Sequence, residues 1–172
     1  MQLLAFECAQ WSMLSYIEER LDKLTRVLKP FSEEQDADAA VASLVRVEDQ
    51  DLKVLFVKRV KNPADAWSGQ MAFPGGKRDA KDLNLEQTVI RETLEETSIN
   101  LLEGSRFLGV MDAMGGALTP KMKVLPFVVL LNHEPSIKLN EKELEGFFWI
   151  SLRELIRHKG TVKFSFGEFP PT

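Results

Sequence analysis

Arg91-Glu92-Thr93-Leu94-Glu95-Glu96 is the stretch of this 172-residue chain that decides its predicted fold and chemistry. The segment has the pattern of a helix, and since a helix turns by about 100° per residue, its three glutamates share one arc of about 100°. Carboxylates three or four residues apart repel one another, and the C-terminal end of the helix dipole disfavours them further. A divalent cation held between them would reverse this cost, because oxygen ligands suit Mg²⁺ or Mn²⁺. A solvated acidic face is the alternative interpretation.

The residues upstream of this helix predict a strand and a glycine loop. They read Ser68-Gly69-Gln70-Met71-Ala72-Phe73-Pro74-Gly75-Gly76-Lys77-Arg78-Asp79. The apolar Met71–Phe73 run predicts a short strand, which a tight loop at Pro74–Gly76 ends. Glycines in such a loop let a ligand approach the backbone closely. Asn84 and Gln87, three residues apart, predict a capped helix start, so the order is strand, glycine loop, helix and glutamate cluster.

This arrangement resembles the Nudix box, the signature of a family of hydrolases that act on nucleoside diphosphates linked to another group. The family pattern is Gly, five residues, Glu, seven residues, Arg-Glu-apolar-any-Glu-Glu-any-Gly-apolar. Gly76 matches the first glycine, Arg91-Glu92 and Glu95-Glu96 match the core of the pattern, and Ile99 matches its last apolar position.

The chain departs from the pattern at four points. Asp82 stands in place of the first glutamate, and the stretch from Asp82 to Arg91 is one residue longer than in the family. Thr93 occupies an apolar position, and Ser98 occupies the position of the second glycine. If the helix ends at Ser98 in the left-handed region, as glycine would allow, the serine is expected to reduce stability.

The longer loop and the phrase from Gly69 to Asp79 resemble the coenzyme A pyrophosphatase branch of the family. That branch also carries an arginine-rich stretch and a histidine just before its Gly-Gln pair. Arg59 fits the first of these features, whereas Trp67-Ser68 occupies the expected place of the histidine. The resemblance to the family is therefore closer than the resemblance to the branch.

The resemblance implies the roles of the residues in the box. Glu92, Glu95 and Glu96 would hold Mg²⁺ or Mn²⁺, and the carbonyl of Gly75 would add a ligand. Arg91 lies four residues before Glu95, in the order that stabilises a helix less, so we interpret it as a residue that orients Glu95. The predicted catalytic residues in the box are thus Glu92, Glu95 and Arg91.

The general base and the substrate-binding residues lie outside the strict pattern. Members of the family use either a helix glutamate or a glutamate from a later loop as the base, and Glu143 is the later candidate here; a solvated loop residue is the alternative. The predicted substrate-binding residues share a position near the box and a charge or ring that suits a nucleotide, and they are Arg59, Lys58, Lys77 and Trp67.

Composition agrees with a soluble enzyme, and the length of the chain suits one domain, predicted to span residues 1–172. The formal net charge of −4 argues against a general nucleic-acid binder. The single cysteine, Cys8, fits a reducing compartment, and the first residues lack the pattern of a signal peptide, which predicts a cytoplasmic protein. No stretch is apolar for long enough to predict a membrane span.

The remaining elements predict an α/β fold with a mixed sheet between helices. Residues 12–28 predict an amphipathic helix that packs on or beside the domain within residues 1–30, with a short coiled coil as the alternative. Asp49–Asp51 predicts a hairpin turn. Strands are predicted at 40–47, 52–60, 107–112, 124–131 and 147–150, with 161–166 as a further candidate, and a helix from Ser151 to about His158. The resemblance implies the same architecture, a Nudix-type α/β/α sandwich.

These features predict a metal-dependent enzyme that hydrolyses the pyrophosphate bond of a nucleoside diphosphate derivative, with coenzyme A or acyl-CoA as the first candidate substrate. ADP-ribose or NADH is the alternative substrate class, and a Nudix-fold binding module without turnover is the alternative function. The predicted partner is a small nucleotide, with neither nucleic acid nor a membrane involved, and a homodimer is left open.

Overall fold

The computed structural model describes residues 16–32, 35–63, 67–115 and 122–158. The predicted first turn of the N-terminal helix, Cys8 and the candidate strand at 161–166 lie outside these ranges. In chain order the described elements are α1 (residues 16–27), β1 (Ala39–Glu48), β2 (Asp51–Arg59), β3 (Met71–Ala72), β4 (Gly75–Lys77), α2 (Leu85–Thr97), β5 (Ser105–Val110), β6 (Met114–Gly115), β7 (Lys123–Leu131), β8 (Leu144–Ser151) and α3 (Leu152–Arg157). In these ranges, no helix has the length and apolar character needed to cross a bilayer.

The predicted hairpin between β1 and β2 is confirmed. The two strands are antiparallel, and Val45 pairs with Val54. Asp49 and Gln50 both have positive φ, 49° and 62°, which is the backbone that a two-residue hairpin turn requires. Asp tolerates this region of backbone conformation better than β-branched residues do, so the turn forms at the polar break between two apolar runs.

Strands β1 and β2 part after this hairpin, and residues 71–77 fill the space between them. β1 pairs with β2 at Val45–Glu48 but with β4 at Ala39–Val41, on the same edge. β2 in turn pairs with β3 through Val57 and Lys58. The tight loop predicted at Pro74–Gly76 is therefore wrong in part, because Gly75–Lys77 forms a strand. The edge of β1 that β2 leaves offers backbone hydrogen bonds, and these outweigh the turn preference of the glycines.

The sheet is mixed, and helices cover both of its faces, as predicted. β7 runs parallel to β1 and antiparallel to β5, while β8 pairs with the outer edge of β2. Helix α2 packs on one face, where Leu85 and Val89 join a core that contains Leu44, Phe127 and Val129. Alternate residues of the same strands point to the other face, where α1 and α3 pack.

Helix α1 contributes its apolar side to this second core. Leu21, Leu24 and Leu28 pack against the cluster formed by Val45, Leu52, Val54 and Val128, and Ile17 is 8% exposed. Leu152 and Leu155 at α3 join the same cluster. In the described part of α1, the apolar residues whose spacing of three and four predicted an amphipathic helix thus face the sheet.

Candidate active site

Helix α2 begins and ends where the sequence predicts. Asn84 Oδ1 accepts a hydrogen bond of 2.9 Å from the Gln87 N–H, and Gln87 Oε1 accepts one of 2.9 Å from the Leu83 N–H. Ser98 ends the helix in the left-handed region, with φ of 63°, and its N–H donates to the Leu94 carbonyl. These two ends fix the register that turns Glu92 and Glu96 toward the sheet.

Two adjacent glycines let the carboxylates of α2 lie against the sheet. The Gly75 N–H donates to Glu96 Oε2 at 2.8 Å. A Cβ on Gly75 would lie 2.3 Å from the Ala40 carbonyl oxygen, and a Cβ on Gly76 would lie 2.6 Å from the carboxyl carbon of Glu92. The close approach predicted for a ligand is therefore made in the structure by the protein's own glutamates, and Gly75 contacts Glu96 through its N–H.

Glu96 is a buried carboxylate with little positive charge near it. It is 2% exposed, and its Oε1 lies 3.7 Å from Nη1 of Arg59 at the end of β2. Burial raises the pKa of Glu96 to about 7, against the opposite effects of the Gly75 N–H and the Arg59 charge, and the charges of Glu92 and Glu143 add to the rise. Burial raises the pKa of Glu92 as well.

Arg91 is anchored by Asp82, an interaction that sequence reasoning did not assign. Arg91 donates from Nε and Nη2 to the two carboxylate oxygens of Asp82, at 3.0 and 2.8 Å. These bonds hold the pKa of Asp82 well below its usual range, helped by the Asp79 N–H and the Thr88 hydroxyl. The signal was present in the sequence, because Asp82 stands at the first acidic position of the box.

Arg91 makes the contact with Glu95 that its predicted role requires, and it contacts Glu92 as well. Its Nη1 donates to Glu95 Oε2 at 3.4 Å and to Glu92 Oε1 at 2.7 Å. Glu92 is the nearer of the two glutamates to the guanidinium, which Asp82 holds on the buried side. That Arg91 orients Glu95 stays a prediction.

Glu143 lies beside the glutamates of α2, as its predicted role requires. Its carbonyl accepts from the Val60 N–H at 2.9 Å, and its Oε1 accepts from Asn140 Nδ2 at 2.9 Å. Its negative charge is among the causes that raise the pKa values of Glu92 and Glu96. We refer to Glu92, Glu95, Glu96 and Glu143 as the carboxylate cluster. That Glu143 acts as the base stays a prediction.

The structure brings one of the four predicted substrate-binding residues to a buried member of this cluster, namely Arg59. Lys58 forms an ion pair of 2.5 Å with Glu145 of β8. Lys77 is exposed, and its carbonyl accepts from Arg91 at 3.4 Å. Trp67 is half-buried in the turn before Gln70. The roles predicted for Lys58, Lys77 and Trp67 therefore rest on the sequence.

The donors near Gly75 and Gly76 suit a divalent metal ion in chemical type. Glu96 is buried with a pKa near neutrality, so its negative charge lacks full compensation from the protein. In the described ranges, no three His, Cys, Asp or Glu side chains meet around one point that an ion could occupy, since Glu96 turns to Gly75 and Glu92 turns to Arg91. Side-chain rotation would redirect these oxygens, and carboxylates are the ligands that Mg²⁺ and Mn²⁺ prefer.

Comparisons with known proteins match the same part of the chain. A model of the NUDIX domain matches residues 37–167. The peroxisomal coenzyme A diphosphatase ndx-8 of Caenorhabditis elegans is 30% identical over 173 residues, which cover 91% of this chain and 73% of that protein. An uncharacterized protein of Schizosaccharomyces pombe is 37% identical over 108 residues, which cover 60% of this chain and 33% of that protein. The chain thus spans a third of one relative's length and about three quarters of the other's.

Solved structures give the same fold. The crystal structure of a C. elegans Ap4A hydrolase binary complex superposes with a TM-score of 0.58 at 22% identity, over 69% of this chain and 83% of that one. At this identity the likeness concerns the arrangement of strands and helices. It agrees with the mixed sheet between two helical layers described above.

Proposed function

Because this chain belongs to the Nudix family, we propose that it is a metal-dependent pyrophosphohydrolase that cleaves the diphosphate of coenzyme A or an acyl-CoA. The observation that carries this proposal is the buried Glu96, placed between the Gly75 N–H and Arg59 and beside Glu92 and Glu143. The choice of coenzyme A is supported by the 30% identical C. elegans relative that bears that activity in its name.

Glu92, Glu95 and Glu96 are the residues that would hold Mg²⁺ or Mn²⁺. When bound there, such an ion supplies charge neutralisation for the diphosphate oxygens and a lower pKa for a bound water. Arg91, itself held by Asp82, keeps Glu92 in place. Arg59 would donate charge-assisted hydrogen bonds to a substrate phosphate.

The reaction transfers one phosphorus group from a bridging oxygen to water. The water oxygen forms a bond to phosphorus, and Glu143 accepts the proton that the water releases. The bond between phosphorus and the bridging oxygen breaks, and its electron pair stays on the departing phosphate. With coenzyme A the products are 3′,5′-ADP and a phosphopantetheine.

Two other functions remain as alternatives. The same residues would serve hydrolysis of ADP-ribose or NADH, because each contains a diphosphate linked to adenosine. A Nudix-fold binding module without turnover is the third, and the presence of Glu92, Glu95 and Glu96 together argues against it, because a binder need not keep a cation site.

The compartment and the assembly of the protein are also open to test. We propose the cytoplasm as its compartment on the grounds of its single cysteine, although the C. elegans relative is named as peroxisomal. A homodimer is the assembly to test by light scattering of the purified chain. Fractionation of cells with a peroxisomal marker distinguishes the two compartments.

A substrate panel tests the proposal directly. Coenzyme A, acetyl-CoA, ADP-ribose and NADH are incubated with Mg²⁺ or Mn²⁺ in ¹⁸O-labelled water, and the products are identified by mass. We expect 3′,5′-ADP as a product, with one ¹⁸O at a phosphorus, and loss of most activity in Glu95→Gln and Glu96→Gln. Faster cleavage of ADP-ribose or NADH at equal concentration would select the second substrate class. Absence of turnover with bound metal would select the binding module.

Arg59→Ala separates substrate binding from metal binding. We expect kcat/KM for coenzyme A to fall by roughly 10- to 150-fold, because one charge-assisted hydrogen bond of about 1.5–3 kcal/mol is lost. Lys53→Ala is the matched control, since Lys53 lies on the same strand with an equally exposed side chain, 25% in each case, and pairs with Glu48. An equal fall in both variants would remove Arg59 from the site.

A further inference from the structure

The loop between β7 and β8 is hydrogen-bonded to the C-terminal end of α2. The Lys138 N–H donates to the Thr97 carbonyl at 3.0 Å, and the Asn140 N–H donates to the Glu96 carbonyl at 2.9 Å. The Ser98 hydroxyl donates to the Lys138 carbonyl at 3.1 Å. The last carbonyls of a helix lack partners within the helix, so this loop supplies the donors that they need.

Asn140 extends this attachment from the backbone to the side chain of Glu143. Its Nδ2 donates to Glu143 Oε1 at 2.9 Å, and its own carbonyl accepts from the Glu143 N–H at 2.9 Å. Its Oδ1 accepts from the Lys142 N–H at 3.3 Å, which fixes the orientation of the amide, because the reverse orientation would set two donors against each other. One residue therefore links the backbone of Glu96 to the carboxylate of Glu143.

We propose that Asn140 is a positioning residue for the hydrolysis, because it ties the carboxylate of Glu143 to the helix end that carries the other three members of the carboxylate cluster. This inference rests on the proposed function. The amide of Asn140 engages Oε1, which directs Oε2 toward the attacking water. The water O–H bond breaks, its proton passes to Oε2, and the water oxygen forms the new bond to phosphorus as the bridging oxygen departs with its electron pair.

The position of Glu143 makes such a device necessary. Glu143 is exposed in a polar turn, where a glutamate side chain samples several rotamers. A general base must lie within hydrogen-bond reach of the proton that it abstracts, and an error of about 1 Å lowers the rate substantially. Glu92 and Glu96 are held by Arg91 and Gly75, and Asn140 provides the corresponding contact for Glu143.

Asn140→Asp tests the proposal with the least change in shape. It keeps an acceptor for the Lys142 N–H and the backbone hydrogen bonds of residue 140, but replaces the donor to Glu143 by a carboxylate that repels it. We expect kcat to fall by about 10- to 100-fold, KM to change less than twofold, and the rise in melting temperature on adding Mg²⁺ to match that of wild type.

Asn100→Asp is the matched control. Asn100 makes the same local turn, since its Oδ1 accepts from the Leu102 N–H at 3.1 Å and its carbonyl accepts from the Glu103 N–H at 3.2 Å. It lies beyond the end of α2. Its side chain accepts from a backbone N–H, whereas the side chain of Asn140 also donates to the carboxylate of Glu143. We expect Asn100→Asp to retain wild-type kcat.

A double substitution distinguishes positioning from general support of the loop. In a Glu143→Gln background, Asn140→Asp is expected to lower kcat no further, because there is no base left to position. Additive losses would overturn the proposal, as would a loss of the Mg²⁺-induced stabilisation in Asn140→Asp alone. Full activity of Glu143→Gln would also overturn it, while leaving the metal-dependent hydrolysis intact. Failure of the proposed function is seen separately, as absence of turnover by the wild-type protein.

Discussion

At Glu96, burial of the side chain opposes its negative charge. The side chain is 2% exposed, and an ionised carboxylate in such a place costs free energy unless charge or hydrogen bonds compensate it. One N–H from Gly75 and a guanidinium 3.7 Å away from Arg59 compensate it in part. A bound divalent cation would complete this compensation, so the same burial that makes Glu96 costly in the free protein favours metal binding.

The metal-free protein should therefore become more stable on mild acidification. The pKa of Glu96 is raised from 4.5 to about 7 in the folded chain, so the native state binds a proton before the unfolded state as the pH falls from 7 to 4.5. Arg59, Glu92 and Glu143 are the charged groups that face it. With a chelator present, we expect the free energy of unfolding in urea to be higher at pH 5 than at pH 7.5, by on the order of 2 to 3 kcal/mol.

Glu96→Gln supplies the control for this pH dependence. The amide cannot ionise, so the gain in unfolding free energy on acidification should shrink. The smaller part that remains comes from the raised pKa of Glu92. Asp82, whose pKa is lowered, affects stability only at more acidic pH, where its protonation would weaken the bond to Arg91. An unchanged slope between pH 5 and 7.5 in Glu96→Gln would show that Glu96 ionises normally.

At the scale of elements, β4 is the piece that joins the sheet to the glutamate helix. It fills the gap between β1 and β2, and both of its glycines meet something that a side chain would displace. The obstacles differ. Gly75 has a φ of 143°, and its added Cβ would meet the Ala40 backbone. At Gly76 the added Cβ would meet the end of a side chain, the Glu92 carboxylate.

Substitution by alanine should therefore lower mainly the stability at Gly75 and mainly the activity at Gly76. Gly75→Ala is expected to lower the free energy of unfolding by about 2 kcal/mol or more, because backbone must move. Gly76→Ala should cost less than about 1 kcal/mol, since a carboxylate can turn away, yet lower activity at least about tenfold by displacing Glu92. Gly146→Ala, whose Cβ would lie 3.7 Å from the Phe148 ring, is the control. Equal stability losses at Gly75 and Gly76 would contradict this account.

Ser98 is a second element-scale test, at the end of α2. Its φ of 63° confirms the predicted left-handed end, which costs a residue with a side chain on the order of 1 kcal/mol relative to glycine. The structure adds a hydroxyl bond to the Lys138 carbonyl, which Ser98→Gly would lose. We expect Ser98→Gly to change stability by less than about 1 kcal/mol, and Ser98→Ala to lie about 1 kcal/mol below it, since alanine keeps the strain without the bond.

Chemical denaturation of the three proteins measures this difference. The comparison of the alanine and glycine variants isolates the backbone cost, because both lack the hydroxyl. Identical unfolding free energies for the two variants would mean that the left-handed conformation carries no cost at this position. Activity should stay near wild type in both, because the Lys138 and Asn140 N–H groups still bind the loop to the carbonyls at the end of α2.

Local signals predicted those elements whose cause is local. The polar break at Asp49–Asp51 gave the hairpin, and Asn84 with Gln87 gave the helix start, because each depends on residues that are close in sequence. The sequence did not predict β4, because its glycines form a strand only when a distant strand offers an unpaired edge. The bond from Arg91 to Asp82 also needed the structure, because nine residues of chain fold back to make it.

At the scale of the whole molecule, the candidate site depends on pieces that are far apart in the chain. Arg59 comes from β2, Gly75 from β4, Glu96 from α2 and Glu143 from the loop before β8. The sheet brings them together, and both of its faces must be covered for the strands to hold their places. Helix α2 covers one face, and α1 with α3 covers the other.

Helix α1 should therefore contribute to the stability of the whole domain, although it packs on the face of the sheet opposite α2. Leu24 packs partly buried against the second core, so Leu24→Ala is expected to lower the free energy of unfolding by about 1–3 kcal/mol. Val27 lies on the same helix with 77% of its surface exposed, and Val27→Ala should change stability by less than about 0.5 kcal/mol. Urea unfolding followed by tryptophan fluorescence measures both variants. A single transition that shifts for Leu24→Ala shows that α1 and the sheet unfold as one unit. An unshifted transition for Leu24→Ala would instead mean that α1 is dispensable to the fold, and that residues before β1 form a separate element.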